Sequence, residues 1–269
     1  MNDLLSALRL NSFERVLAAY HRAGMPLRDM IDGGAGSGST AKQMLKYATG
    51  TVYAFEPFPG NHRFFNGIDA RIRLVPKALA DENRAMSFRV SSTVSEDSEW
   101  GRRGLTGYSS VGYLTAAPAE NDISVECIRA DRIISEGVDF VKLDLQGGEM
   151  AALKGMTGFL DTVPLMWVEY SGQPGLADFL SDHGFLLFDT EYFFMGNPTP
   201  GALTVFEASK KGQTLSTGKT AWFGFKRSPW RDFSAEFPLL RKSLGMVQTD
   251  LVCINRNALP AFTSALQFI

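Results

Sequence analysis

The sequence predicts an α/β protein with a doubly wound, mostly parallel sheet. Two observations carry that prediction. From residue 28 onward, short apolar runs alternate with helix-length amphipathic segments, the rhythm of βαβ units. The first apolar run ends in "IDGGAGSGS", a glycine-rich strand-to-helix turn of the kind that lets backbone approach a ligand.

The 269 residues suit one large domain, read as spanning 1–269, and at 45% hydrophobic and 21% charged the composition is that of a globular protein. A net charge of −2 gives no global attraction to nucleic acid or to a membrane surface. Cys127 and Cys253 lie in apolar strand-like stretches and read as buried thiols rather than a bridge, which fits a reducing cytoplasm. The opening segment, 1–24, has the spacing of an amphipathic helix closed by Gly24 and is broken by charges, so it does not read as a secretory leader. No apolar run approaches membrane-spanning length. The expected compartment is the cytoplasm.

The elements follow in order. "RDMIDGG" is the first strand and "STAKQMLKYATG" a helix ending at Gly50. "TVYAFEP" is the second strand, stopped by Pro57; "GNHRFFNGI" is a short helix and "RIRLVPKALA" the third strand. The rhythm breaks at about 84–127, where "AMSFRVSS" and "NDISVECI" read as an added strand pair around a polar loop. It resumes with a helix at 130–136, a strand at 138–145, a helix at 148–156, a strand at 164–170, a helix at 174–182 and a strand at 185–192. A last strand, "VQTDLVCINR", follows an insertion at about 195–246 that reads as a lid or an acceptor-binding element.

The candidate chemistry begins with Asp32, Gly34, Gly36 and Gly38 in the glycine turn, and with Glu56 at the end of the second strand. The dinucleotide fingerprint is a near miss, because its third glycine falls at Ser39. Pyrophosphate needs an anion cradle, whereas the sulfonium and amino group of S-adenosylmethionine (SAM) favour nearby carboxylates. A carboxylate at Glu56 can accept hydrogen bonds from the two ribose hydroxyls of an adenosine ligand. Asp32 inside the turn therefore suits SAM better than NAD. A purely structural turn is the bland alternative.

"MIDGGAGSGST", "VYAFEPFPGN", "VPKALADE", the serines at 109–110, "FVKLDLQGGEMAALKGM" and "WVEYS" occur in the order and spacing of one known family. From about Met30 to Tyr192 the chain resembles the FkbM family of SAM-dependent methyltransferases. The resemblance implies a class I methyltransferase, Rossmann-like, with seven strands and an antiparallel last strand. It implies methyl transfer to a hydroxyl oxygen of a sugar, glycoconjugate or polyketide-like acceptor. It places Gly34 and Gly36 near the methionine part of SAM, Glu56 near the ribose, and Ala78 and Leu79 near the adenine. Many relatives carry glutamate where this chain has Gln146. Glutamine cannot take a proton at neutral pH, which moves the expectation of a catalytic carboxylate to Asp144.

The usual strand order of that fold sets Lys142 between Asp32 on the first strand and Glu169 on the fifth. Lys142 is then expected to be a buried cation shared by Asp32, Asp144 and Glu169, structural or catalytic. Asp144, at the strand terminus, is expected to orient or deprotonate an acceptor hydroxyl or to steady the donor's charge, and so counts as both catalytic and cofactor-binding. Glu149 is either a carboxylate favoured by the helix N-terminus or a site residue. Asp144, Glu149 and Glu169 could offer oxygen ligands to magnesium, but their spacing is not diagnostic, and a metal is not favoured. His21, His62 and His183 do not cluster; the first and last read as structural and His62 as exposed.

For the acceptor, the candidates are Glu169, then Trp100, Arg102 and Tyr108 in the loop at 99–110, then Trp222 in the basic, aromatic part of the insertion. The acceptor is expected to be a small or glycosylated molecule, anionic in one reading, and not a nucleic acid. Two competing functions stand beside methyl transfer: an NAD-dependent oxidoreductase, and a non-catalytic SAM-fold binding module.

Overall fold

The computed structural model describes residues 13–92, 111–195, 213–214, 220–224 and 246–261. In chain order the helices are α1 (Phe13–Arg22), α2 (Ser39–Leu45), α3 (Glu149–Lys154) and α4 (Leu176–Asp182). The strands are β1 (Met30–Gly33), β2 (Val52–Phe55), β3 (Ile72–Val75), β4 (Ala78–Leu79), β5 (Arg84–Ser92), β6 (Val111–Thr115), β7 (Ile123–Ile128) and β8 (Phe140–Leu143). They continue with β9 (Leu165–Tyr170), β10 (Phe185–Met195), β11 (Gln213–Thr214), β12 (Thr220–Gly224) and β13 (Met246–Asn255). The fold is α/β, and it divides into two compact units, Pro26–Val163 and a second made of Met1–Met25 with Pro164–Ile269.

In the first unit β8, β1, β2 and β3 lie side by side and parallel. Every residue of β1 and β8 is buried, as expected of parallel strands covered on both faces. Beyond β3 the chain departs from the predicted single strand at 71–80. Pro76 has no N–H to donate, so β3 stops at Val75, and the chain re-enters a different sheet as β4. That second sheet has the order β4–β7–β5–β6. The strand pair predicted at about 84–127 is therefore part of a four-stranded sheet, with β5 flanked by β7 and by the unpredicted β6. It has its own core of Ala78, Ala80, Phe88, Val125 and Cys127. Two predicted helices shrink to 3-10 turns, Pro59–Phe65 and Ala130–Arg132.

In the second unit β13 is antiparallel to both β9 and β10, as expected of the last strand. β9 is buried throughout despite Glu169. Two short strands of the insertion, β11 and β12, continue from β10 in antiparallel pairing. The remainder of 195–246 lies outside the described residues. The N-terminal helix α1 buries Val16, Leu17, Ala19 and Tyr20, and Phe13 meets Trp167 edge to face with ring centres 6.3 Å apart. Among the described residues no helix is long and apolar enough to cross a membrane.

Candidate functional site

Parallel pairing of β1 with β8 puts Asp32 directly beside Lys142. Neighbouring positions on adjacent strands share a face, so the two side chains meet. Lys142 Nζ stands 3.5 Å from Asp32 Oδ1, 3.5 Å from Asp144 Oδ2 and 3.5 Å from the Gly33 carbonyl oxygen. Asp32 is wholly buried and the Lys142 side chain is 9% exposed, whereas that of Asp144 is 45% exposed. Burial pushes the Asp32 carboxyl above its ordinary range; the Lys142 cation opposes that shift and the Asp144 charge adds to it. Asp32 and Asp144, both expected around Lys142, are thus at ion-pair distance. Glu169 belongs to the other unit, where the Gln248 amide donates to its carboxylate.

The glycine turn is organised by Glu56, at the end of β2. The Gly36 N–H donates to Glu56 Oε2 at 2.7 Å and the Phe58 N–H to Oε1 at 2.8 Å. The buried Asn61 side chain adds a further hydrogen bond to the same carboxylate. Two carboxylate oxygens offer about four acceptor positions, so three protein donors leave room for another. Burial raises the Glu56 carboxyl above its ordinary value, against the lowering effect of these donors. His62, expected on the surface, is instead half-buried, and its Nε2 donates to the Glu56 carbonyl oxygen at 2.8 Å. Gly34, Gly36 and Gly38 all have positive φ, at 75°, 55° and 74°. Gly38 ends the turn as the residue preceding α2, with the Phe65 ring beside it.

The end of β8 comes against this turn. The Asp144 N–H donates to the Gly33 carbonyl at 3.2 Å, and the Asp144 carbonyl packs against the Cα of Gly34. Just beyond, the fully buried Glu149 accepts the N–H groups of Leu145 at 2.7 Å and Gly147 at 3.1 Å. Its carboxylate is thus turned back onto its own chain and shapes the loop before α3. Gln146 lies within that loop, and its Nε2 donates to Asp144 Oδ1 at 2.9 Å.

Gly34, Gly36, Glu56, Ala78, Leu79 and Asp144 line one cavity of about 190 Å³, space for far more than a single water. Asp32 and Gly38 are not among its lining residues. The sequence reading missed a second wall, formed by Phe88 of β5 and by Gly112, Tyr113 and Leu114 of β6. A Cβ at Gly112 would fall 2.4 Å from the Phe88 ring and 2.5 Å from the Arg89 carbonyl oxygen, so the bare glycine is what lets that ring lie where it does. Phe88 in turn stacks on Phe58 with centres 6.3 Å apart. A glycine inside the alternating "VGYLT" was the one available signal of close packing there.

Trp100, Arg102 and Tyr108 lie outside the described residues, and of Trp222 only the backbone pairing in β12 is described. The His183 ring lies 4.4 Å from that of Phe179, and His21 is exposed near the end of α1. Both cysteines are buried thiols. Among the described residues there is no group of three or more His, Cys, Asp or Glu that could hold a metal ion.

Comparison with solved structures returns methyltransferases at low similarity. A methyltransferase FkbM from Methylobacillus flagellatus KT is 16% identical over 53% of this chain and 32% of its own, with a TM-score of 0.36. This chain thus spans about a third of that protein's length. A precorrin-6y C5,15-methyltransferase from Geobacter metallireducens GS-15 is 12% identical over 90% of this chain and 88% of its own, with a TM-score of 0.38. An rRNA methylase from Streptococcus thermophilus is 9% identical over 89% of this chain and 94% of its own, with a TM-score of 0.40. No curated protein matches. The methyltransferase FkbM domain, in contrast, matches residues 32–188, more than half of the chain and the whole of the cavity wall described above. The chain belongs to the FkbM methyltransferase family.

Proposed function

We propose that this protein transfers a methyl group from SAM to a hydroxyl oxygen of a sugar, glycoconjugate or polyketide-like acceptor. The observation that carries the reading is the convergence of Gly34, Gly36, Glu56 and Asp144 on one cavity. The residues present fit the cofactor. Glu56 keeps acceptor capacity for a ribose hydroxyl, and Ala78, Leu79 and Phe88 supply an apolar wall for a nucleobase. The Gly36 N–H is directed to the Glu56 carboxylate, so the turn presents a carboxylate where a pyrophosphate would need donors. That arrangement favours a cationic nucleoside over NAD.

When bound, SAM supplies an electrophilic methyl on a positively charged sulfur. The residues of this chain then have three tasks. Glu56 and the glycine turn hold the nucleoside. Asp144 contributes negative charge at the cavity and accepts the hydrogen bond of an incoming hydroxyl, which orients its oxygen. Lys142, shared between Asp32 and Asp144, keeps two carboxylates compatible at one strand end.

Titration calorimetry with SAM, S-adenosylhomocysteine and NAD tests the cofactor assignment. Micromolar binding of the first two without NAD binding supports it, and NAD binding alone overturns it. A screen with methyl-labelled SAM against free sugars, glycoconjugates and polyketide-type alcohols tests the acceptor class. Label appearing only on nitrogen or carbon would refute O-methylation.

A further inference from the structure

Gln146 is the only residue other than glycine with a positive φ among the described residues, at 54°. Such a conformation is uncommon and costly for a long side chain. Its neighbours impose it. Glu149 accepts the backbone N–H groups on either side, those of Leu145 and Gly147, and Gly147 itself takes φ 103°. The clamp turns residue 146 toward the cavity, of which it is a lining residue. Its amide donates to Asp144 Oδ1 at 2.9 Å, while Lys142 Nζ faces the other oxygen, Oδ2, at 3.5 Å. A donor on each oxygen restrains the rotation of the carboxylate. Among the described residues, Asp32 on β1 interacts electrostatically with it, and Glu56 lies in the lining of the same cavity.

We propose that Gln146 is a positioning residue for Asp144: its strained backbone and its amide together hold that carboxylate fixed at the cavity wall. The inference rests on reading the cavity as a SAM site and adds to it the device that keeps the catalytic carboxylate in place. Glutamine has an N–H to donate to Asp144 at any pH, whereas glutamate at 146 has the same reach but donates only when protonated.

The test compares the wild type with Q146G, Q146E, D144N and the double variant D144N/Q146G by calorimetric titration with SAM and with S-adenosylhomocysteine. The first ligand carries a positive sulfur and the second a neutral one, so their affinity ratio reads the Asp144 charge without turnover. D144N should lower the ratio roughly 5- to 10-fold, as expected for the loss of one charge-assisted contact. Q146G should lower it about 3-fold or more, with no fall in thermal midpoint, since glycine takes this φ freely. If Gln146 acts through Asp144, the double variant should match D144N within about twofold, because coupled residues are not additive. Q146E should lose as much turnover as Q146G near about pH 8 and recover toward about pH 6, where a shared proton restores a bridge.

Unchanged ratio and turnover in Q146G, additive losses in the double variant, or an unchanged ratio in D144N would each overturn the inference while leaving the cofactor assignment intact. A wild-type protein that binds neither ligand would take down both.

Discussion

The carbonyl oxygen of Asp144 occupies the space that a Cβ on Gly34 would need: the two would stand 2.1 Å apart. Gly34 also has φ 75°. The close approach joins the glycine turn after β1 to the end of β8, and it brings the proposed cofactor loop and the candidate catalytic carboxylate to the same place. Gly34→Ala should therefore cost about 3 kcal/mol of stability, combining a left-handed alanine with a displaced backbone. Urea denaturation measures it. A variant as stable as the wild type, with unaltered SAM affinity, would show that the approach is not needed.

Lys142 offers a second expectation, from burial. Lys142→Met leaves Asp32, fully buried, without its cation, and should destabilise the fold by roughly 3–5 kcal/mol. Lys142→Met combined with Asp32→Asn should recover a large part of that loss, because the cost lies in the orphaned charge. Chemical denaturation of the two variants and of Asp32→Asn completes the cycle.

Glu56 should make stability and affinity respond to pH in opposite directions. Burial raises its folded-state pKa above the unfolded value near 4.3. An acid whose pKa is raised on folding contributes stability below the unfolded value, and that contribution is lost as pH rises through the folded value. Binding of ribose hydroxyls needs the ionised carboxylate, so SAM affinity should rise over the same interval. Glu56→Gln should remove the rise in affinity and lessen the slope in stability. The slope that persists reports Asp32, whose pKa is shifted the same way by burial. Thermal melts without ligand and calorimetry with SAM, both from about pH 4 to 8, read the two slopes.

Asp144→Asn keeps the shape of the side chain and removes its charge. Turnover should fall roughly 10²-fold or more, with SAM affinity reduced by at most about tenfold, if the carboxylate orients the acceptor in the transition state. Equal losses in both would make Asp144 a cofactor ligand alone.

The local sequence was sufficient for part of this protein and silent on the rest. Period and punctuation determined the strand–helix order, the glycine turn, and the positions of Asp32, Glu56 and Asp144 at strand ends, because these depend on residues adjacent in the chain. A lysine and an aspartate two apart in "FVKLD" already required partners for buried charge, and the strand order implied by the family resemblance named Asp32 among them. Register made that pair, by setting Asp32 beside Lys142. Whether a carboxylate faces the cavity or its own backbone was equally out of reach of the sequence. Glu149 and Asp144 are both acidic and five residues apart, yet one is buried on amide groups and the other lines the cavity. The strand read through Pro76 ends before it, and neither that break nor its consequence, a second sheet whose Phe88 and Tyr113 wall the cavity, was read from the sequence. Phe88 and Gly112 lie 24 residues apart in the sequence and meet only through the pairing of β5 with β6. Chemistry that depends on chain neighbours can be read along the sequence; chemistry that depends on which strands pair exists only once they have paired.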